Sequence, residues 1–229
     1  MNEIFSKIKY GLIVSCQAEE GDPFNSPESI LLFAKAAVLG GALGIRSRGF
    51  ENTKLICDSI NVPVIGLTKS YFEDGYVRIT GSFKEVEEIV ASGCQIIAID
   101  GTFRLRENLS GPDFISEVKK RFGVLIMADI AEFSEAEACF NAGADCISTT
   151  LSGYTPNTLN VNKHLPDYDL LSKCLKLDAP IIAEGRINSP DFAAEMIKRG
   201  AYAVVVGTAI TRPRVVTGWF VDKIKEILT

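Results

Sequence analysis

The segment "SFKEVEEIVASGCQIIAID", residues 82–100, joins a helix pattern to a strand pattern and decides how the chain folds. Ser82 is a typical helix N-cap, the apolar residues that follow it have helical spacing, and Gly93 is a typical helix end. Ile96 to Asp100 is a short apolar run of the kind that forms a strand buried on both faces. A helix that leads directly into such a strand is the repeating unit of a parallel α/β sheet.

This unit recurs along the whole chain. The predicted helices in segments 26–41, 134–143 and 189–200 also begin at a serine and close on a glycine. Their final glycines and Gly93 are separated by 52, 50 and 57 residues, the length of two units. The pattern predicts eight strands: Gly11 to Gln17, Leu43 to Arg46, Val64 to Lys69, Ile96 to Asp100, Leu125 to Asp129, Cys146 to Thr149, Ile181 to Glu184 and Ala203 to Val206. Eight units in 229 residues predict an α/β fold with one domain, residues 1–229, built as a (β/α)8 TIM barrel.

The composition excludes several classes of protein. The chain is 47% hydrophobic and 23% charged, which is enough apolar residues for one large core. Its six cysteines form no CxxC pair and no short disulfide pattern, so we expect reduced core residues and a cytoplasmic location. No apolar run approaches the length of a membrane span. The net charge of -5 argues against a nucleic-acid partner, but it allows a cleft that binds a small anion.

Polar side chains occupy equivalent positions at the ends of the odd-numbered predicted strands. The stretches "GLIVSCQ", "PVIGLTK", "GVLIMAD" and "PIIAEGR" place Gln17, Lys69, Asp129 and Arg186 at the same offset. Glu184 lies two residues before Arg186 and therefore faces the same way. The second predicted strand adds Arg46 and the fourth adds Asp100. In a TIM barrel the carboxyl ends of the strands carry the chemistry, so we expect these side chains to converge on one site.

Two further segments predict an anion site beside this one. In "AEGRINSP" and "VVVGTAITRP", residues 183–190 and 204–213, a strand runs into a glycine and then into a helix start. Glycine lets the backbone approach an anion, and the N–H groups at a helix start point toward it. The loops after strands seven and eight hold phosphate in many barrels. The candidate residues for a phosphate-binding barrel are Gly185, Arg186, Gly207, Thr208 and Arg212.

Blocks in family order along nearly the whole chain resemble the bacterial N-acetylmannosamine-6-phosphate 2-epimerases of sialic acid and amino sugar breakdown. These blocks are "LIVSCQA", "GGALGIRSRG", "PVIGLTK", "IIAIDGTFRLR", "MADI", "STTLSGYT", "IIAEGRINSP" and "AVVVGTAITRP". The chain departs from the family pattern in "ITGS", residues 79–82, and in "DGT", residues 100–102. Both departures lie outside the residues assigned to chemistry.

The resemblance implies inversion of C2 in a 6-phosphorylated 2-acetamido hexose, with no metal and no organic cofactor. It implies that Lys69 carries the proton and that Glu184 is its carboxylate partner, with the division of acid and base roles left open. Arg46 would hold the carbonyl oxygen or the enolate, and Gln17 and Asp129 would bind the sugar. The family also suggests a homodimer, in which Trp219 and Phe220 either contact the partner or only anchor the last helix.

Two other functions fit the same residues. In an aldolase, Lys69 would form a Schiff base with a keto sugar acid. In a phosphosugar sensor, the barrel would bind a ligand without reaction, although a binding protein has no use for a base beside C2.

Overall fold

The computed structural model describes residues 2–228, so Met1 and Thr229 of the predicted domain lie outside the described residues. Ten strands follow one another in these residues: β1 (Leu12–Cys16), β2 (Gly44–Arg48), β3 (Val64–Leu67), β4 (Lys69–Tyr71), β5 (Val77–Ile79), β6 (Ile96–Asp100), β7 (Leu125–Asp129), β8 (Cys146–Ser148), β9 (Ile181–Glu184) and β10 (Ala203–Val206). The helices are α1 (Glu3–Ile8), α2 (Pro27–Leu39), α3 (Phe50–Ser59), α4 (Phe83–Ala91), α5 (Gly111–Phe122), α6 (Phe133–Asn141), α7 (Tyr168–Cys174), α8 (Pro190–Lys198), α9 (Thr208–Thr211) and α10 (Pro213–Leu228).

Eight of the strands close into a parallel barrel, in the order β1-β10-β9-β8-β7-β6-β3-β2. The barrel is closed by the pairing of β1 with β2, in which Ser15 faces Arg46. Helices alternate with these strands along the chain. The predicted (β/α)8 TIM barrel is therefore confirmed, and the carboxyl ends of its eight strands share one rim, called the mouth below.

The third predicted strand is wrong at its carboxyl end. The barrel strand β3 stops at Leu67, and Lys69 begins β4, which pairs antiparallel with β5 to form a hairpin outside the barrel. Thr68 separates the two strands, and its backbone N–H donates to the hydroxyl of Thr80 at 3.2 Å. This bond ties the end of the hairpin to the point at which the chain leaves β3, and the hairpin holds Lys69 above the mouth.

The predicted helix starts are confirmed in three of four cases. The side chains of Ser26, Ser82 and Ser189 each accept a backbone N–H three residues ahead. In α6 the predicted serine is wrong, because the helix begins two residues earlier with Glu132 as its N-cap. The side chain of Glu135 accepts the backbone N–H of Glu132 at 3.0 Å, and this bond fixes the earlier start.

The core has two shells because the strand residues alternate between the two faces of the barrel wall. Inside the barrel, the apolar residues that fill the space below the mouth include Ile13, Ile65, Met127 and Ile182. Outside, the opposite faces of the strands pack against the helices in two further clusters. Helix α1 covers the amino end, where the backbone oxygen of Phe5 accepts from Tyr202 Oη at 3.0 Å. The polar residues of the interior are therefore concentrated at the mouth.

Candidate active site

Arg46 lies at the centre of the mouth. Its place on β2 directs the side chain into the barrel, and only 1% of the side chain is exposed. Nη1 and Nη2 donate to the two carboxylate oxygens of Asp129 at 3.0 and 2.5 Å. Nη1 also donates to Glu184 Oε2 at 2.7 Å. One cation therefore holds two carboxylates, which come from the ends of β7 and β9.

Thr150 completes this cluster and is not among the residues predicted from the sequence. Its hydroxyl lies 2.7 Å from Asp129 Oδ1 and 3.0 Å from Glu184 Oε2. The hydroxyl also lies 2.8 Å from Ser148 Oγ. A signal for Thr150 was available, because it follows Ser148 at the spacing of two that brings side chains to the same face. We call Arg46, Asp129, Thr150 and Glu184 the ion cluster.

Burial and charge act against each other in the ion cluster. Burial by itself would lower the pKa of Arg46, but the charges of Asp129 and Glu184 reverse this effect and raise it. Burial raises the pKa of Glu184; Arg46 opposes the rise and the charge of Asp129 adds to it. The surroundings of Glu184 therefore shift this carboxyl group toward its protonated form.

Lys69 approaches the ion cluster from the hairpin. Burial lowers the pKa of its ammonium group, and the charges of Arg46 and Arg48 lower it further, while Glu19 and Glu184 act in the opposite direction. Across residues 2–228 the ammonium group has no hydrogen bond and no ion pair. Glu184 raises the pKa of Lys69 and Lys69 lowers that of Glu184, which is consistent with the predicted pair. A free amine and a protonatable carboxyl group at one site can exchange protons with a substrate.

Gln17 borders the same space from the end of β1. Its side-chain amide donates to Ser15 Oγ at 2.8 Å. The other end, Oε1, is buried and has no hydrogen-bond partner within the described residues. A buried acceptor without a partner is costly, and a hydroxyl or amide of a bound ligand would satisfy it.

The predicted phosphate residues follow the two neighbouring strands β9 and β10. Gly185 and Arg186 both have left-handed backbone, with φ of +108° and +58°. Gly207 lies at the start of α9, where an added Cβ would come within 3.3 Å of Ser15 Cβ. Glycine therefore keeps the backbone open at both turns, as the prediction requires. Thr208 is the first residue of α9.

The two predicted phosphate-binding guanidinium groups already have partners in the protein. Arg186 Nε donates to the backbone oxygen of Leu165 at 2.7 Å, and Nη1 donates to that of Ser152 at 2.5 Å. Arg212 pairs with Glu19 at 3.0 Å and with Asp22 at 3.5 Å. Arg186 thus fastens the irregular segment 151–167 to the end of β9. A phosphate contact by either side chain stays a prediction, and it requires the guanidinium group to share or exchange these partners.

Asp100 lies at the mouth, where two arginines balance its negative charge. Its carboxylate pairs with Arg104 at 2.7 Å and with Arg106 at 2.8 Å. These two arginines also line a cavity of about 670 Å³ between the hairpin and segment 104–108. Neither Lys69 nor any residue of the ion cluster lines this cavity. Asp100 is therefore a structural partner of the two arginines and not a free carboxylate of the site.

The comparison with protein families assigns the chain to a family. Residues 30–226 match the family model NanE, which describes N-acetylmannosamine-6-phosphate epimerases. The chain belongs to this epimerase family. It is 44% identical over 227 residues to the N-acetylmannosamine-6-phosphate 2-epimerase of Caldanaerobacter subterraneus, covering 98% of this chain and 95% of that protein. It is 43% identical over 223 residues to the corresponding Clostridioides difficile protein, covering 97% and 99%.

A solved structure of a family member has the same fold. The N-acetylmannosamine-6-phosphate 2-epimerase from Clostridium perfringens superposes with a TM-score of 0.89 at 37% identity, over 96% of each chain. In the present chain, each helix within residues 2–228 is too short or too polar to cross a membrane.

Proposed function

We propose that the protein interconverts N-acetylmannosamine 6-phosphate and N-acetylglucosamine 6-phosphate by inverting C2. The observation that supports the proposal is that the charges of Lys69 and Glu184 act on each other, with the pKa of Lys69 lowered and that of Glu184 raised. These shifts bring an amine and a carboxyl group toward the range in which each can both give and take a proton. Inversion at a carbon beside an aldehyde needs such a pair, because the proton leaves one face and returns to the other.

The proposed proton transfer depends on which of the two groups, Lys69 or Glu184, carries the proton that they share. In one resting state Lys69 is neutral and Glu184 is protonated; in the other Lys69 is protonated and Glu184 is ionised. The total charge is the same in both states, so the low-dielectric site can pass between them without a net change of charge. One group removes the C2 proton, and the other supplies a proton to the opposite face. Either group can begin, depending on which epimer is bound.

Arg46 is the proposed partner of the oxygen that becomes negative in the enolate. Its guanidinium group is held in place by Asp129 and Glu184 before substrate arrives. A preorganised cation stabilises developing charge without a reorganisation cost. Asp129 is completely buried, so its proposed contact with the sugar requires the side chains above it to move. Gln17 offers the sugar an unpaired acceptor, and because its Oε1 is buried this contact requires movement as well.

The proposed phosphate site is formed chiefly by backbone at Gly185, Arg186, Gly207 and Thr208, with Arg212 beside it. The open turns after β9 and β10 support this assignment, since N–H groups at such turns bind phosphate. Binding energy from a phosphate that does not react would position C2 beside Lys69 and Glu184.

Proton NMR in deuterated water tests the proposed reaction. Either sugar phosphate is added to the protein, and deuterium is expected at C2 in step with formation of the other epimer. Product without deuterium at C2 would contradict proton transfer. A permanent adduct on Lys69 after treatment with borohydride would instead favour the aldolase.

We also propose a cytoplasmic homodimer. All six cysteines are free thiols, which supports a reducing compartment. The last helix, α10, has no buried residue, and Phe220, Ile224 and Ile227 are 69%, 60% and 80% exposed. An apolar helix surface of this kind is typical of an interface between subunits.

A further inference from the structure

The hydroxyl of Thr150 makes more contacts than one proton can serve. It lies within hydrogen-bond distance of Asp129 Oδ1, Glu184 Oε2 and Ser148 Oγ, at 2.7, 3.0 and 2.8 Å. An ionised carboxylate can only accept hydrogen bonds, and a threonine hydroxyl has a single proton to donate. When Asp129 and Glu184 are both ionised, Thr150 can therefore satisfy only one of them at a time.

The same contacts are all satisfied once Glu184 is protonated. Its carboxyl group can then donate to Thr150, while Thr150 donates to Asp129 across the shorter of the two distances. When Glu184 ionises, its Oε2 keeps the bond from Arg46 Nη1, rotation of the Thr150 hydroxyl toward Oε2 adds a second donor, and Asp129 keeps both of its bonds from Arg46. Neither change requires a heavy atom to move.

The neighbouring Thr149 restrains the backbone of the same glutamate. Its hydroxyl donates to the backbone oxygen of Glu184 at 2.8 Å and accepts the backbone N–H of Glu184 at 3.0 Å. One threonine thus fixes where Glu184 lies, and the next contacts the atom that gains or loses the proton. This division separates a structural role from a chemical one.

We propose that Thr150 is a positioning residue that matches the hydrogen bonding of Glu184 to each of its two protonation states. The role in turnover rests on the proposed function, whereas the effect on Glu184 can be measured without it. The charged groups that face Glu184 are Arg46, Asp129 and Lys69, and none of them is changed by substitution of Thr150. A hydrogen bond to the ionised form lowers the pKa of a carboxyl group, so loss of the hydroxyl raises it.

The matched pair of variants is Thr150→Val, which keeps the shape and loses the hydroxyl, and Thr150→Ser, which keeps the hydroxyl. In the valine variant we expect kcat for epimerisation to fall about 10- to 100-fold, with KM within about 3-fold of the starting protein. The limb of the pH profile that follows Glu184 should move to higher pH by about one unit. The serine variant should match the unsubstituted protein in all three measurements.

Titration of the Glu184 carboxyl carbon by 13C NMR, without substrate, gives a second readout. Its midpoint is expected to rise in Thr150→Val and to stay in place in Thr150→Ser. Thermal unfolding checks that the valine variant folds, and Thr150→Ala replaces it otherwise. An unchanged midpoint in the hydroxyl-free variant, or a serine variant as impaired as the valine variant, would overturn the proposal. Failure of the unsubstituted protein to epimerise would instead count against the proposed function.

Discussion

The dependence of activity on pH should follow Lys69, whose partly buried amine lies near the guanidinium groups of Arg46 and Arg48. Burial, Arg46 and Arg48 all disfavour the ammonium form, so the pKa lies below the ordinary 10.5. The proposed transfer needs one proton shared by Lys69 and Glu184, so kcat/KM should fall at alkaline pH as that proton is lost, with a midpoint below that ordinary value. Initial rates measured across the alkaline range give the midpoint directly. A midpoint at or above 10.5 would show that Lys69 is an ordinary surface lysine.

Removal of the amine should separate reaction from binding. In Lys69→Met we expect epimerisation to fall at least about 100-fold, because a positioned acid–base group contributes that much or more. Binding of the sugar phosphate, measured by calorimetry, should change little, since the proposed phosphate site lies at β9 and β10. The control is Lys35→Met, which alters an exposed lysine on α2. If Lys69→Met lost binding and reaction equally, the phosphosugar sensor would become the better interpretation.

Most of the ion cluster could be predicted from residue positions. Asp129 and Glu184 end their strands as predicted, and Arg46 ends the predicted second strand although it is the middle residue of β2, so the barrel rule was enough to bring the three together. Thr150 was missed because it follows β8 by two residues, within a segment without regular structure. The partners of Arg186 could not be predicted either. They are backbone oxygens of Ser152 and Leu165, and only the path of the chain places them there.

The β4–β5 hairpin is the element that determines where Lys69 lies. Glu85 on α4 fastens it, because its carboxylate accepts from the hydroxyl of Ser70 and from the backbone N–H of Gly81, the latter at 2.8 Å. In Glu85→Ala we expect kcat to fall about 10-fold as the amine loses its fixed position. The matched control is Glu87→Ala, an exposed residue of the same helix.

Hydrogen exchange of residues 69–79 measures the same effect in the backbone. It should accelerate in Glu85→Ala and not in Glu87→Ala. Equal kcat values in the two variants would mean that the hairpin holds its place without Glu85.

The hairpin also shows which structure local sequence patterns cannot predict. Each of its strands has only three residues, too few to display an alternation of apolar and polar side chains. Val64 to Lys69 therefore looks like one continuous strand. The break at Thr68 depends on Thr80, twelve residues away, and is a tertiary feature.

At the scale of the whole molecule, the barrel closes around a buried cation. Replacing Arg46 by methionine would leave Asp129 and Glu184 buried without it, and we expect a loss of about 3–5 kcal/mol in the free energy of unfolding at neutral pH. Arg46 opposes the rise in the pKa of Glu184, so this pKa should rise further in the variant. A raised carboxyl pKa contributes stability that is lost as pH increases from the ordinary 4.5 through the raised value. The deficit should therefore be larger at pH 8 than at pH 5.

Urea unfolding at these two pH values measures the deficit. Arg121→Met, which alters an arginine side chain that is 52% exposed, is the control and should change little at either pH. A deficit that is the same at both pH values would contradict the linkage to Glu184.

The proposed dimer gives a second prediction at this scale. Sedimentation velocity should show a dimer for the unsubstituted chain and a monomer for the double variant Phe220→Asp and Ile224→Asp, because charges on the apolar surface of α10 oppose its burial. Leu32→Asp alters a side chain that is 66% exposed on α2 and should leave the dimer intact. A monomer at all concentrations for the unsubstituted chain would remove the dimer from the proposal.

The barrel itself was predictable because its signals are local and repeated. Each helix end and each short apolar run is visible in a few residues, and eight repeats leave the closed barrel as the natural arrangement. The predicted start of α6 was wrong because Glu132 and Ser134 lie close together and either can cap the helix. The bond to Glu135 decides between them.

The position of Lys69 on an appended hairpin has a consequence for how such enzymes diversify. The tip of the hairpin, residues 72–76, lies beyond the paired strands and contributes nothing to barrel closure. Insertions or exchanges there can reshape the cavity between the hairpin and segment 104–108 while the amine proposed as reactive stays where it is. Evolution can thus alter the surface beside the mouth separately from the group proposed to move a hydrogen.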